Sequence, residues 1–171
     1  MNIDGEWTLE RYAAFLRGTL AVVAPVEPRI AAHLTAYRFG QDPGGFAADR
    51  LRHDLAALSE DAAVPSAPQL PSISGEAEAF GAAYVLIGAR LGGQIISRTL
   101  GARLGLTPDR LTYFAPPGLP VGAAWRDFAE ALDRFGARAD EAERQRAAHA
   151  AAETFEAMEA SLDAMKALDV D

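Results

Sequence analysis

Three glycines, Gly88, Gly92 and Gly93, fall within six residues of the stretch YVLIGARLGGQIISR, Tyr84 to Arg98, which otherwise reads as one continuous helix. Each glycine in a helix interior costs roughly 1 kcal/mol against alanine, so something must require that much bare backbone. At helical spacing Gly88 and Gly92 lie one above the other, and Ala89 and Gly93 form an adjacent small-residue stripe. Such a face lets a flat object approach the backbone closely and makes the helix easy to bend. A neighbouring helix and a planar ligand both answer that description.

Around this segment the chain reads as helices divided by proline and glycine, with no period-2 strand pattern. Thr8 is the expected N-cap of a helix whose apolar positions include Tyr12, Phe15, Leu16, Leu20 and Val23. Pro25 and Pro28 are expected to break it, with a second helix through Ile30, Leu34 and Tyr37. GQDPGG reads as a loop, and AADRLRHDLAALSED as a helix with Leu51, Leu55 and Leu58 on one face. After the connector VPSAPQLPS, the glycine-bearing helix is expected from Ser74 to about Leu104, with Glu76 and Glu78 near its positive end. A short helix should start at Thr107 and Pro108. GAAWRDFAEALDRFG should turn Trp125, Phe128 and Leu132 inward and stop at Gly136. The last helix, Asp140 to Leu168, should bury Phe155, Met158, Leu162 and Met165. The expectation is an all-α multi-helix bundle, a single domain over residues 1–171.

Charge separates the glycine segment from the rest. Residues 1–80 carry 11 acidic and 6 basic side chains, residues 126–171 carry 12 and 6, and residues 81–125 carry 1 and 4. The segment is a positive island in a chain of net charge −8, which suits an anionic ligand there and argues against nucleic acid as a partner. Cysteine is absent, so disulfide and thiolate chemistry are excluded. No basic-then-apolar leader opens the chain, and no apolar run is long enough for a membrane span, so the expected location is the cytoplasm.

The stretch GAAYVLIGARLGGQIISRTL resembles the distal helix of bacterial heme oxygenases, where a Tyr-Val-Leu-Glu-Gly-Ser-x-Leu-Gly-Gly-Gln type pattern bends over the heme face; Tyr84, Val85, Leu86, Gly88, Leu91, Gly92, Gly93 and Gln94 match it. The resemblance extends through LERYAAFLRGTLAVVAPVEPRIAAHL, RLRHDLAAL, LTYFAPPGLPVGAAWRDFAEALD and AAETFEAMEASLD, and is nearest to the biliverdin-producing subgroup found beside bacterial phytochromes. It implies Gly88, Gly92, Gly93, Gln94, Arg90 and Tyr113 as the residues around a tetrapyrrole, with Arg90 and Arg98 readable either as propionate partners or as surface cations.

The departures from the family pattern point the other way. In the family a first helix supplies the proximal histidine, whereas here no histidine occurs before His33, and that helix is expected to be missing. The family's glutamate and serine are Ile87 and Ala89. Oxygenase chemistry needs an imidazole on iron and a distal polar network for protons. His33, His53 and His149 are far apart, and only His149 with Glu153 shares a helical face, so no catalytic residue and no metal ligand is assigned. The expected function is therefore that of a degenerate, heme oxygenase-like module acting in signalling through protein contacts. A protein partner or a second copy would cover the groove left by the missing helix. No cofactor is expected on that reading; binding of heme or a linear tetrapyrrole, or active biliverdin formation with an unusual iron ligand, are the alternatives.

Overall fold

The structure, a computed structural model, describes residues 7–35, 37, 46–60, 69–118 and 120–168. Among them run six helices: α1 (Leu9–His33), α2 (Ala47–Ala57), α3 (Glu76–Gly88), α4 (Gly93–Leu104), α5 (Val121–Arg138) and α6 (Glu141–Leu168), with a 3₁₀ turn at Pro108–Arg110. The all-α bundle expected from the apolar periodicity is what forms. GQDPGG and the first half of the proline-rich connector lie outside the described residues.

Thr8 caps α1 as expected, its hydroxyl accepting from the Arg11 N–H at 3.2 Å. Pro25 and Pro28 do not end the helix: both lie inside α1, which continues to His33. A helix-interior proline costs about 3 kcal/mol. Around these prolines Val22, Val23, Val26 and Ile30 are at most 1% exposed, and burying each such side chain returns roughly 1.5–3 kcal/mol. Tertiary burial holds the helix together where local chemistry would stop it.

α3 sits at the centre of the bundle, packed on α6, α1 and, more lightly, α5. Its approach to α6 is set by Gly81, where an added Cβ would stand 2.0 Å from the Ala147 carbonyl oxygen. That contact explains the buried face of α6, which is made of the small residues Ala150, Thr154, Ala157 and Ser161. Phe155, expected inside, is 57% exposed on the opposite side, because two backbones in contact leave no room for a ring. Met158 and Leu162 are partly buried, and Met165 lies outside the described side chains. α5 turns Phe128 fully inward, Trp125 and Leu132 partly, and runs past Gly136 to Arg138.

The expected single central helix is two. α3 ends at Gly88, α4 begins at Gly93, and the axes differ by 40°. Among the described residues no single helix is long and apolar enough to cross a membrane; the bent pair α3 and α4 together meets that test by length and composition alone.

Candidate functional site at the glycine hinge

Between α3 and α4 the backbone tightens. Arg90 N–H bonds Ile87 C=O at 3.1 Å, Leu91 N–H bonds Gly88 C=O at 3.0 Å, and Gly93 N–H bonds Arg90 C=O at 2.9 Å. These bonds span three residues instead of four, the narrower 3₁₀ pattern that marks hinges. The three glycines meet different surroundings. A Cβ on Gly93 would lie 2.2 Å from the Phe114 carbonyl oxygen, so this glycine is required for packing. A Cβ on Gly88 would make ordinary contact with the Trp125 ring at 3.5 Å, and one on Gly92 would meet nothing nearer than Ile96 Cδ1 at 3.9 Å. Packing therefore accounts for one of the three.

The outer side of the hinge is apolar. Tyr84 is 44% exposed, Leu91 48% and Ile95 67%, with Ala89, Gly92 and Gln94 also exposed. Trp125 borders this face, its ring 5.7 Å from that of Tyr84. From Leu91 in the break into α4, Leu91, Ile95 and Arg98 follow at three- to four-residue spacing and are all exposed, so a cation ends the apolar strip.

The inner side is polar. Arg90 is only 6% exposed, which overturns its reading as a surface cation; its Nη2 lies 3.5 Å from Glu27 Oε1. Glu27, 1% exposed, accepts the Ala47 N–H at 2.8 Å and the Ala48 N–H at 3.0 Å, and so caps the N-terminus of α2. Burial pushes the Glu27 carboxyl above the usual carboxylate range, opposed by those two N–H groups and by Arg90 and Arg50. Burial likewise raises the Tyr113 hydroxyl, which shares the field of Arg90, Glu27 and Arg50. The Tyr113 ring is in the core beside Phe114, their centroids 5.1 Å apart. Its position is fixed by buried Asp54, which accepts the Thr112 N–H at 3.0 Å, the Thr112 hydroxyl at 2.6 Å and the Tyr113 N–H at 2.9 Å.

The six residues named from the sequence thus divide. Gly92 and Gln94 are on the exposed outer side, Gly88 is half-buried against the Trp125 ring at its border, and Gly93, Arg90 and Tyr113 belong to the packed side. Glu27 was not singled out, although an acid directly after the apolar run AVVAPV is a signal of burial with a partner. His53 faces the Asp109 carbonyl at 3.0 Å, and His149, 75% exposed, pairs with Glu153 at 3.3 Å on α6. Among the described residues no group of three or more His, Asp or Glu side chains is placed to hold a metal ion.

A glycine-bearing helix that bends, as α3 and α4 do here, is what the resemblance to heme oxygenases implied. A protein named heme oxygenase from Xanthomonas campestris pv. campestris (strain 8004) is 38% identical over 96 residues, covering 53% of this chain and 54% of that protein. The chain therefore spans about half the length of the curated relative it matches. The heme oxygenase family profile matches residues 5–163, and on that match the chain belongs to the heme oxygenase family.

Proposed function

We propose that this chain binds heme or a related tetrapyrrole on the outer face of the α3–α4 hinge, as a substrate or ligand of the heme oxygenase type. The observation that carries the reading is the open space at Gly92, where a side chain would meet nothing nearer than 3.9 Å. A glycine retained where packing does not need it allows a flat ligand to lie against the backbone. Exposed Tyr84, Leu91 and Ile95 give such a ligand apolar contact, and Arg98 offers a cation to its carboxylates. The residues fit a tetrapyrrole's distal side; with Ile87 and Ala89 in place of the family's glutamate and serine, they bring few proton-carrying groups to it.

The test is a hemin titration of the purified protein followed by absorbance and tryptophan fluorescence, with ascorbate and oxygen added at the end. Trp125, against Gly88, should be quenched as a sharp Soret band saturates at one equivalent. Decay of that band to biliverdin would assign turnover, and a stable band would assign binding without degradation. Weak, featureless binding with no quenching would sink the reading.

A second reading draws on the same exposed Tyr84, Leu91 and Ile95. A partner protein or a second copy covering this strip would make the chain a regulatory module of the cytoplasm with no cofactor. Sedimentation of the hemin-free protein distinguishes the two: a monomer at micromolar concentration removes the self-association form of this reading.

A further inference from the structure

We infer that Arg90 is a positioning residue for the hinge: held in the core by Glu27, it fixes the bend between α3 and α4 and so turns Gly92 outward. The inference deepens the tetrapyrrole reading and, in its ligand arm, rests on it.

Of the four residues between the helices, Ala89, Leu91 and Gly92 are exposed and Arg90 alone is buried. Its side chain is the peg by which the break is attached to the bundle. Its backbone serves both ends, the N–H bonding Ile87 at 3.1 Å and the carbonyl accepting from Gly93 at 2.9 Å. Its guanidinium reaches Glu27 at 3.5 Å, and Glu27 is itself anchored on the Ala47 and Ala48 N–H groups. The hinge is thereby tied to α1 and to the start of α2 at one point.

The choice of arginine follows from what a buried charge demands. A guanidinium taken out of water must lie beside an anion, and removing either partner leaves an uncompensated charge. An apolar peg tolerates a slip of one residue along the break. Arginine does not, because a slip would bury Ala89 or Leu91 and carry the guanidinium away from Glu27, which would keep only Arg50 and its two N–H donors. The ion pair specifies register, which an apolar core at the same place would not.

The experiment compares wild type with Arg90→Met and Arg90→Lys by amide hydrogen exchange, urea unfolding and hemin titration. Arg90→Met should speed exchange at the Leu91 and Gly93 amides by at least about tenfold. The Ala82 and Ala83 amides within α3 should hold their protection, and hemin affinity should fall by about tenfold or more. Arg90→Lys, which keeps the charge, should restore most of both effects. Wild-type exchange at the Leu91 and Gly93 amides would overturn the inference, and so would an equal acceleration at hinge and α3 amides, which signals general destabilisation. Should the methionine variant not fold, Glu27→Gln, which removes the charge from the other partner, carries the comparison: hinge amides loosened ahead of α3 amides support the role, and a uniform change or wild-type exchange refutes it. A wild-type protein that does not saturate with hemin ends the tetrapyrrole reading, and the exchange data then decide the positioning role alone.

Discussion

α3 and α4 were one helix in the sequence and are two different objects in the structure. α3 is buried on almost every side: Ala77, Ala79, Phe80, Gly81, Ala82, Ala83, Val85, Leu86 and Ile87 are all in the core. α4 buries only Gly93, Ser97 and Leu100, a single stripe, and leaves Ile95 67% exposed. Both halves carry glycine at close-approach positions. In α3 the bare backbone is filled by another backbone, that of α6; at the start of α4 part of it is filled by Phe114 and part is left open. A small-residue stripe thus has two meanings, and the surroundings of a missing Cβ decide between them.

The largest effect should come from filling the closed end. In Gly81→Ala the new methyl would collide with the Ala147 carbonyl at 2.0 Å, and neither helix can retreat without opening the core. We expect a loss of about 3 kcal/mol or more in urea unfolding, against the small gain in helix propensity alanine would otherwise bring. A variant as stable as wild type would mean that the α3–α6 contact is looser than described. Gly93→Ala should cost less, about 2 kcal/mol, since the Phe114 carbonyl oxygen 2.2 Å from the added atom belongs to a turn, which can shift more easily than a packed helix. Asp54→Ala tests the wall behind Gly93 from the other side. It strips the Thr112 N–H, the Thr112 hydroxyl and the Tyr113 N–H of their buried acceptor, and should cost about 3 kcal/mol.

These sites differ in how well the sequence announces them. Helix identities followed from apolar periodicity, and Thr8 as a cap followed from hydroxyl chemistry that acts within three residues. Expectations failed where distant packing overrode a local rule. Pro25 and Pro28 stayed helical because four buried aliphatic residues surround them. Phe155 went outward because Gly81 had already brought two backbones together. Gly81 itself gave no warning, since a lone glycine in GEAEAFGAAY looks like any other. The hinge was legible as bare backbone, and as a family pattern, but not the division of its residues into inner and outer sides. That division depends on Glu27, which is 63 positions before Arg90 and shares no motif with it.

Gly92→Leu probes the open end and should separate folding from binding. Gly92 has φ −81° and ψ −6°, an ordinary right-handed conformation that leucine adopts without strain. Stability should change by less than about 1 kcal/mol, with replacement of glycine by a better helix former offsetting any crowding near Ile96. Hemin affinity should nonetheless fall about tenfold or more, because the isobutyl group would occupy the surface on which the macrocycle lies. A marked loss of stability would show that Gly92 is closed like Gly81. Unchanged affinity with unchanged stability would move the ligand off the hinge.

The smallest effect is expected on the far side of α6, where His149 is 75% exposed and its nearest partner is Glu153 one turn along the same helix. An exposed pair at this spacing contributes about 0.5 kcal/mol or less, so His149→Ala should leave the urea midpoint almost unmoved. Its value lies in the hemin spectrum. His149 is on α6, the helix whose inner face is sealed against α3 by the Gly81 contact, and its own side faces solvent. A ligand resting on the hinge has no use for an imidazole there, so the Soret band of His149→Ala should match that of wild type in position and intensity. A band that shifts or disappears would place the iron against α6, and would make the exposed side of that helix, carrying Phe155, the binding face in place of the hinge.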